Sequence, residues 1–244
     1  MRLLSAMVSK PDGQGVNTDA LACRANGDAH GCWVVADGQG SEGSGRDVAR
    51  QTVQTLLKIF AGNPAISPAI LSGVFEWAQR DLLSLQASQV LDKSVRASAA
   101  LFCTGGRSAL WAHIGNVRVY AFRDGAVLAQ TLDHSTAQGF VRAGEMLPEE
   151  IRCRPERRRL QRSLGSAGIP RPSILEERFI LQPGDLFLLC TDGFWEHVTE
   201  VEMLLDWCKS GSVQQWLECM EERLLKASPQ GHDCYSAIAL LAVP

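Results

Sequence analysis

Two apolar runs in this chain each stop abruptly at an Asp-Gly pair. The first begins at Trp33 and ends at Asp37-Gly38, and the second covers Leu186–Thr191 and ends at Asp192-Gly193. Apolar runs of this length predict buried strands, and glycine lets the backbone turn sharply where a strand ends. We therefore predict that Asp37 is displayed at its strand end, and that the two strands bring their carboxylates together at one edge of a sheet. Such an arrangement outlines a metal site.

Runs of β-branched, aromatic and other apolar residues between turn signals predict strands over much of the chain. Asn26-Gly27 followed by Asp28 predicts a hairpin turn, so we expect the opening to be a β meander. Turns containing glycine separate four later runs, which we expect to form a four-strand antiparallel block. The predicted strands cover residues 2–8, a second run through Cys23, the two runs above, and residues 97–103, 108–114, 117–122, 127–132, 174–181 and 237–243.

Helical periodicity appears in two long stretches. Residues 44–60 place apolar side chains on one face and are followed by Asn63-Pro64, which breaks the helix. Ser67-Pro68 predicts the N-cap and first position of a second helix that reaches about Val90. Two short helices are predicted near residues 200–209 and 213–226. With no repeat or linker in the chain, this order predicts one α+β domain over residues 1–244, with helices covering sheet faces.

Residues 133–172 differ from the rest because they are polar and rich in Arg, Gly and Pro. We expect an excursion with short helices that leaves the sheet and returns to it. The stretch contains a cluster of positive charge: Arg152, Arg154, Arg157, Arg158, Arg159 and Arg162. Two interpretations stay open, since such a cluster is either a solvated helix face or a rim that attracts phosphate.

Composition places the chain among ordinary globular proteins. Its 244 residues are 45% hydrophobic and 21% charged, with a formal net charge of −3. That balance gives no general reason to expect nucleic-acid or membrane binding. No apolar run reaches the roughly 18 residues of a membrane span, and residues 1–8 are too short for a signal sequence. We expect a cytoplasmic protein.

The eight cysteines form no C-x-x-C pair, and several lie within apolar runs. A reduced thiol in such a run behaves as a small hydrophobe, so we expect buried free thiols. A thiol nucleophile at Cys190 or Cys234 is the minor alternative. The tryptophans have apolar neighbours, so we expect them in the core.

Four aspartates are candidates for chemistry: Asp19, Asp37, Asp192 and Asp233. Oxygen-only ligand sets suit hard divalent cations such as Mg²⁺ or Mn²⁺, whereas zinc recruits His or Cys. Two such ions about 4 Å apart share a water, lower its pKa and hold the oxygens of a phosphate ester. The aspartates are thus compatible with hydrolysis of a phosphomonoester, although Asp-Gly turns alone are common.

The order of motifs along nearly the whole chain is much more specific. It resembles the metal-dependent protein phosphatase 2C family of bacterial type. The motifs that carry this resemblance are Asn17-Thr18-Asp19-Ala20, Val35-Ala36-Asp37-Gly38-Gln39-Gly40, Ile114-Gly115-Asn116-Val117-Arg118, Asp133-His134-Ser135, Leu164-Gly165, Pro183-Gly184-Asp185 and Cys190-Thr191-Asp192-Gly193-Phe194-Trp195.

The resemblance implies a fold and a site. The fold is a β-sandwich of two antiparallel sheets flanked by helices on both faces, with a mobile flap at about residues 133–172. Asp37 would bridge two Mn²⁺ or Mg²⁺ ions, and the carbonyl of Gly38 would complete the first site. Asp192 and Asp233 would hold the second ion, and Asp19 would orient a metal-bound water. The bridging water would attack the phosphorus of phosphoserine or phosphothreonine without a covalent intermediate.

Four positions depart from the family pattern. Gln14 stands where an arginine usually pairs with the substrate phosphate, and a neutral amide binds phosphate less strongly. Thr18 replaces a glutamate, Asn116 replaces an aspartate that helps hold a third metal, and Cys234 replaces an asparagine. A third metal is therefore not expected.

Two hypotheses follow. In the first, the chain is a phosphatase of low turnover in which Arg46 or an arginine of residues 152–162 contacts the phosphate alongside Gln14. In the second, it is a phosphatase-like module that binds a phosphoprotein or regulatory partner with little turnover. Retention of Asp37, Asp192 and Asp233 favours the enzyme, because a binding module has no evident need for clustered carboxylates. A zinc or thiol hydrolase lacks both ligand spacing and a Cys-His pair.

Further expectations concern partners and protonation. The resemblance implies a phosphorylated protein substrate, the target of a Ser/Thr kinase. We expect a monomer, and easy proteolysis between Asp133 and Pro172. The five histidines are expected to be structural. Gln39 stands where some relatives have a histidine, so we predict that a water protonates the leaving group.

Overall fold

Two antiparallel sheets stack face to face, and helices cover both outer faces. The computed structural model describes residues 1–26, 30–40, 43–58, 60, 66–229 and 231–244. Its strands are β1 (Arg2–Lys10), β2 (Asp19–Asn26), β3 (His30–Gln39), β4 (Arg96–Gly105), β5 (Ser108–Ile114), β6 (Arg118–Arg123), β7 (Ala126–Gln130), β8 (Ser173–Ile174), β9 (Phe179–Ile180), β10 (Leu186–Cys190) and β11 (Tyr235–Val243).

One sheet has the strand order β1-β11-β10-β6-β7, and the other has the order β2-β3-β4-β5-β8 with β9 also pairing with β5. The α-helices are α1 (Ser44–Lys58), α2 (Pro68–Ala87), α3 (Thr136–Arg142), α4 (Asp192–Trp195), α5 (Glu200–Cys208) and α6 (Val213–Ala227). The predicted β-sandwich with helices on both faces is confirmed.

The central strands are apolar throughout because both of their faces are buried. On β3, Trp33 and Val35 pack between the sheets, whereas Val34 and Ala36 join the cluster that α1 and α2 cover. A strand covered on both sides loses the alternation of a half-exposed one. The abrupt end of apolar character at Asp37 therefore marks the point where the strand leaves the core.

Two predictions of strand pairing were wrong. The opening is not a meander, because β1 pairs with β11 and only β2 pairs with β3. The four-strand block is divided, with β4 and β5 in one sheet and β6 and β7 in the other. The chain crosses between the sheets at Gly115, whose φ is 90°, and at Asn116. This crossover places Asn116 at one end of the sandwich.

Other differences are local. The predicted strand 174–181 is divided into β8 and β9, each of two residues. The predicted turn at Gly27 and Asp28 and the break at Asn63-Pro64 lie outside the described residues. All eight cysteines lie within them and are free, but only four are buried, so burial of the thiols was over-predicted. Trp77 is also 41% exposed and not in the core.

Residues 133–172 contain α3 and two 3₁₀ turns, Pro148–Cys153 and Pro155–Arg158. The stretch returns to the sandwich at Leu164, whose backbone exchanges hydrogen bonds with Ala97 of β4 at 2.9 and 3.0 Å. We call residues 133–172 the flap. Within the described parts of the chain, every helix is too short or too polar to cross a membrane.

Candidate active site

Carboxylates from both sheets meet at one end of the sandwich. Asp37 lies near the end of β3, Asp192 directly follows Thr191 after β10, and Asp233 precedes β11. All three line a pocket of about 390 Å³ together with Gly38. The expectation that Asp37 and Asp192 share one edge of a single sheet was wrong, because β3 and β10 belong to different sheets. Stacking of the two sheets brings the carboxylates together.

Asp19 joins this group from the neighbouring strand. It lies directly opposite Asp37 in the ladder between β2 and β3, and its side chain is buried. Its Oδ2 accepts a hydrogen bond of 2.8 Å from the hydroxyl of Thr191. Thr191 directly precedes Asp192, so this hydrogen bond links Asp19 on one sheet to the end of β10 on the other.

Both Asp-Gly pairs have the same structural explanation. A Cβ on Gly38 would collide with the carbonyl oxygen of Gly45 in α1. A Cβ on Gly193 would collide with the carbonyl oxygen of Cys234. Glycine is thus required for close backbone approach at both strand ends. The second approach holds the backbone of Asp192 beside that of Asp233.

Asp192 is held by two hydrogen bonds. The backbone N–H of Gly193 donates to its Oδ1 at 3.1 Å, and the side-chain amide of Asn116 donates to its Oδ2 at 3.0 Å. Asn116 is fully buried, and its own Oδ1 accepts from the hydroxyl of Ser98 at 2.8 Å. The indole N–H of Trp195 donates to the Asn116 carbonyl at 2.9 Å. These contacts orient the Asp192 carboxylate.

Asp233 forms an ion pair with Arg158 of the flap, with 2.7 Å between Nη2 and Oδ2. The two side chains are 51% and 40% exposed, so the pair is open to solvent. The adjacent Arg157 is buried and pairs with Glu196 instead, and Arg152 pairs with Glu200 at 2.6 Å. The arginine cluster is therefore mixed: Arg158 reaches the acidic pocket while others tie the flap to the body.

Burial and mutual repulsion make Asp19, Asp37 and Asp192 hard to ionise in the absence of a cation. Burial, followed by repulsion from Asp192, Asp19 and Asp233, raises the pKa of Asp37 well above its ordinary value. Burial also raises the pKa of Asp19 to about 7, although hydrogen bonds from Thr191 and Ser236 oppose the shift. The pKa of Asp192 is raised chiefly by burial. Such crowding of acids is typical of a site that receives positive charge.

Of the phosphate contacts predicted from the sequence, Arg158 of the arginine cluster lines this pocket, whereas Gln14 and Arg46 do not. Gln14 is exposed in an adjoining groove of about 640 Å³, which shares Arg158 and Asp233 with the acidic pocket. Arg46 is exposed on the first turn of α1, where it pairs with Asp47 at 3.3 Å. Among the described lining residues of both cavities, Arg158 is the only arginine.

Two of the departures from the family pattern contact one another. The thiol of Cys234 accepts from the backbone N–H of Thr18 at 3.4 Å and from its hydroxyl at 3.3 Å. It donates to the carbonyl of Val16 at 3.2 Å. Burial raises the pKa of this thiol, and burial also raises the pKa of Cys190. Neither cysteine has the low pKa of a thiolate nucleophile.

Among the described residues that line the acidic pocket, none is a histidine. His113 and His134 stack with ring centroids 4.5 Å apart. Burial lowers their pKa values to about 4 and about 3. Nδ1 of His134 accepts from the N–H of Gly115 at 3.1 Å, so this histidine supports the crossover that carries Asn116.

The donor set fits hard divalent cations in kind, since it consists of carboxylates and a backbone carbonyl. Among the described residues, no three His, Cys, Asp or Glu side chains converge closely enough to hold an ion as they stand. Two of the candidate ligands are instead engaged by Arg158 and by Asn116. At Asp233 a cation would therefore compete with the guanidinium of Arg158 for Oδ2.

Sequence reasoning missed several supporting residues. Arg158 was indicated only as one member of a cluster, and neither Ser98 nor the hydroxyl of Thr191 was singled out. Thr191 directly precedes Asp192, which was a usable signal. Nothing local pointed to Ser98, because its partner Asn116 lies 18 residues away and at the end of another strand.

The protein phosphatase 2C family model matches residues 10–229. A putative 2C-type protein phosphatase from Streptococcus pyogenes is 25% identical over 178 residues, covering 70% of each chain. The serine/threonine protein phosphatase PstP of Mycobacterium tuberculosis is 30% identical over 177 residues, which cover 70% of this chain. That match spans 33% of PstP, about a third of its length.

Solved structures share the fold. The M. tuberculosis PstP crystal structure superimposes with a TM-score of 0.86 at 21% identity, covering 100% of both chains. Stp1 from Staphylococcus aureus gives 0.88 at 19% identity, covering 100% of this chain and 96% of that one. The PstP catalytic domain in complex with two manganese ions gives 0.82 at 21% identity, covering 99% of both.

Proposed function

This chain belongs to the protein phosphatase 2C family, and we propose that it hydrolyses phosphoserine and phosphothreonine on proteins with two divalent cations, Mn²⁺ or Mg²⁺. The observation that Asp37, Asp192 and Asp233 line one pocket together with Arg158 carries the proposal. Acidic and basic groups side by side suit a site that takes up both cations and an anionic substrate. The names of the phosphatase relatives and the manganese-bound PstP domain support the same reaction.

We assign the acidic residues to cation binding. Asp37 and the carbonyl of Gly38 would hold one cation, Asp37 would also contact the other, and Asp192 and Asp233 would complete the second site. When bound, such cations supply Lewis-acid chemistry, since they activate water and offset charge on the phosphate oxygens. Asp19 is held by Thr191 behind the pocket and would orient a water near Asp37.

We assign phosphate binding to Arg158. Its guanidinium already lies in the pocket, and its exposed position on the flap leaves it free to exchange partners. A guanidinium offers a fork of donors that matches two phosphate oxygens, which the amide of Gln14 does not. Substrate binding would thus draw Arg158 from Asp233 to the phosphate and release Asp233 for the cation.

Protonation of the leaving alkoxide is assigned to water. Gln39 lines the pocket but carries no transferable proton, and among described residues no histidine lines it. His232 and His197 line only the adjoining groove. The chain's own contribution is therefore orientation and charge, and not general-acid catalysis by a side chain.

A second candidate is recognition of a phosphoprotein with little turnover. It is favoured by one observation: Arg158 and Asn116 already hydrogen-bond Asp233 and Asp192, the two carboxylates assigned to the second cation. If these contacts persist in solution, the chain would bind a phosphorylated segment through Arg158 without assembling the second cation.

Hydrolysis of a small aryl phosphate and of a phosphothreonine peptide, each with and without Mn²⁺, tests the proposal. The variant is Asp192→Asn, and the matched control is Asp124→Asn in the hairpin between β6 and β7, where φ is 51° and asparagine is tolerated. We expect metal-dependent activity that falls at least about 100-fold in Asp192→Asn and is unchanged in the control. Absence of turnover with confirmed Mn²⁺ binding and folding would favour the recognition module.

A further inference from the structure

A second polar pocket of about 330 Å³ lies between α2 and the flap. We call it the arginine pocket. Its lining residues come from one position on α2, the end of β5 and one flap segment: Gln79, Ile114, Gln161, Arg162, Ser163, Ser166, Ala167, Gly168, Ile169, Pro170 and Arg171. Neither the family resemblance nor the proposed reaction gives this pocket a role.

Its two arginines have unneutralised charge. Arg162 and Arg171 are exposed, and neither has a carboxylate within 4.0 Å in the described part of the chain. Four of the six other flap arginines, at 152, 154, 157 and 158, each pair with an acid. Nη1 of Arg162 donates to the carbonyl of Arg171 at 3.4 Å, so the two residues are adjacent. Two neighbouring free cations in a chain of net charge −3 form a local anion-attracting site.

The pocket also has hydrogen-bonding groups and a fixed wall. The hydroxyls of Ser163 and Ser166 lie 2.8 Å apart. The buried side chain of Gln79 accepts from the N–H of Gly165 at 2.8 Å and donates to the carbonyls of Ser166 and Gly168. This clamp fixes the loop that forms the wall, so the pocket does not depend on a substrate to shape it.

The arginine pocket is close to the proposed phosphate contact. Arg162 follows Arg158 by four residues, so their Cα atoms are at most about 14 Å apart. Ile114, which lines the pocket, precedes Asn116 by two residues, and Asn116 contacts Asp192. An extended peptide of about four residues spans the distance between the two arginines. A bound substrate segment would therefore reach both.

We propose that the arginine pocket binds a negatively charged side chain of the protein substrate, about four residues from the phosphorylated residue that is hydrolysed. The charge is a carboxylate or a second phosphate, since both match a guanidinium fork. Ile169 at the rim is 81% exposed and is available to contact an apolar neighbour of that side chain. This inference rests on the proposed function and deepens it by naming a class of preferred substrate.

The test compares phosphothreonine peptides that differ only at the fourth residue before or after the phosphothreonine. That residue is alanine, glutamate or phosphoserine, so the two sources of charge are separated. The variant is Arg162→Glu with Arg171→Glu. The matched control is Arg107→Glu, an exposed arginine at the opposite end of β5, about 20 Å from Ile114. The peptides are assayed for kcat/KM with Mn²⁺ and for binding by fluorescence anisotropy in EDTA, and a small aryl phosphate is assayed as the reference.

We expect a charged peptide, in at least one direction, to exceed the alanine peptide about tenfold in kcat/KM and in affinity. The double variant abolishes that preference, while its hydrolysis of the aryl phosphate and of the alanine peptide stays within about twofold. Arg107→Glu keeps the preference, and added salt weakens it.

Equal kcat/KM and affinity of the wild type for charged and neutral peptides would overturn the inference. An equal loss of kcat/KM for all substrates in the double variant would also overturn it. Failure of the proposed function is distinguishable, because aryl phosphate hydrolysis would then be absent. In that case the affinities for charged and neutral peptides, measured by fluorescence anisotropy, still decide whether the inference holds.

Discussion

The side-chain amide of Asn116 donates to Oδ2 of Asp192 at 3.0 Å, and Asn116 has no exposed surface. The side-chain Oδ1 of Asn116 accepts a hydrogen bond of 2.8 Å from the hydroxyl of Ser98. The amide therefore cannot rotate without losing both contacts. The family pattern has a carboxylate at this position. In this chain the residue is a neutral donor that holds a proposed cation ligand in place.

Replacement of this donor by a carboxylate should destabilise the protein without its cations. In Asn116→Asp two buried carboxylates face each other, so we expect the free energy of unfolding to fall by about 3 kcal/mol in EDTA at pH 8. Ser98→Ala, which removes only the orienting hydroxyl, should cost about 1 kcal/mol. Urea denaturation measures both. Equal stability of Asn116→Asp and wild type would show that the contact with Asp192 is not maintained in solution.

Removal of the Arg158 guanidinium should strengthen the binding of Mn²⁺ and weaken the binding of the phosphorylated substrate. Without the competing ion pair at Asp233, Arg158→Ala should bind Mn²⁺ about threefold more tightly, a modest change because the pair is exposed. Its KM for a phosphothreonine peptide should rise about tenfold, since the proposed phosphate donor is lost. Calorimetric titration of Mn²⁺ and steady-state kinetics give the two values.

Arg46→Ala is the matched control, because Arg46 is exposed on α1 and lines neither cavity. The Mn²⁺ affinity of Arg46→Ala and its KM for the phosphothreonine peptide should both stay within about twofold of wild type. A KM effect confined to Arg46→Ala would transfer the phosphate contact to that residue.

The stability of the cation-free protein should depend on the ionisation of Asp19. Its pKa is about 7 in the folded protein against 3.8 as the ordinary value, so between these the folded state binds more protons than the unfolded state. The contribution of Asp19 to stability is therefore present below about pH 4 and is lost as the pH rises through 7. His113 and His134, with lowered pKa values, act in the opposite sense below about pH 6.5.

Comparison with Asp19→Asn cancels the histidines, which are common to both proteins, and reports on Asp19 together with its repulsion of Asp37. In EDTA the free energy of unfolding of the variant should rise relative to that of wild type from pH 5 to pH 7. At pH 8 it should exceed the wild-type value by more than about 1 kcal/mol. Thermal or urea unfolding across this range provides the difference. A difference independent of pH would mean that Asp19 keeps an ordinary pKa.

Flap mobility remains a prediction, and the clamp at Gln79 provides a way to examine it. Limited trypsin digestion should cut first between Asp133 and Pro172, where several arginines are exposed. Gln79→Ala leaves the N–H of Gly165 without its acceptor and should increase that cleavage about tenfold. Gln214→Ala, an exposed residue bonded to Glu218, should not change it. Resistance of both wild type and Gln79→Ala would indicate a flap that is fixed to the body.

Most of the secondary structure could be predicted because each element is encoded by contiguous residues. The strand ending at Asp37 is apolar on both faces, and Ser67-Pro68 does begin α2, with the Ser67 hydroxyl accepting from Ile70 N–H. Motif order likewise identified the family before any contact was known. Pairing between strands was less predictable, because hydrophobic pattern does not specify the partner. The crossover at Gly115-Asn116 therefore looked like an ordinary hairpin.

The sequence by itself indicated which acids are candidates for chemistry, since each lies at a strand end or just before a strand. Only the tertiary structure decided how they are supported. Asn116 and Asp192 are 76 residues apart, and Arg158 is one of eight flap arginines. Stacking of two sheets and the return of the flap select these partners. Such contacts depend on the whole packed chain, because no short stretch of sequence contains both members of either pair.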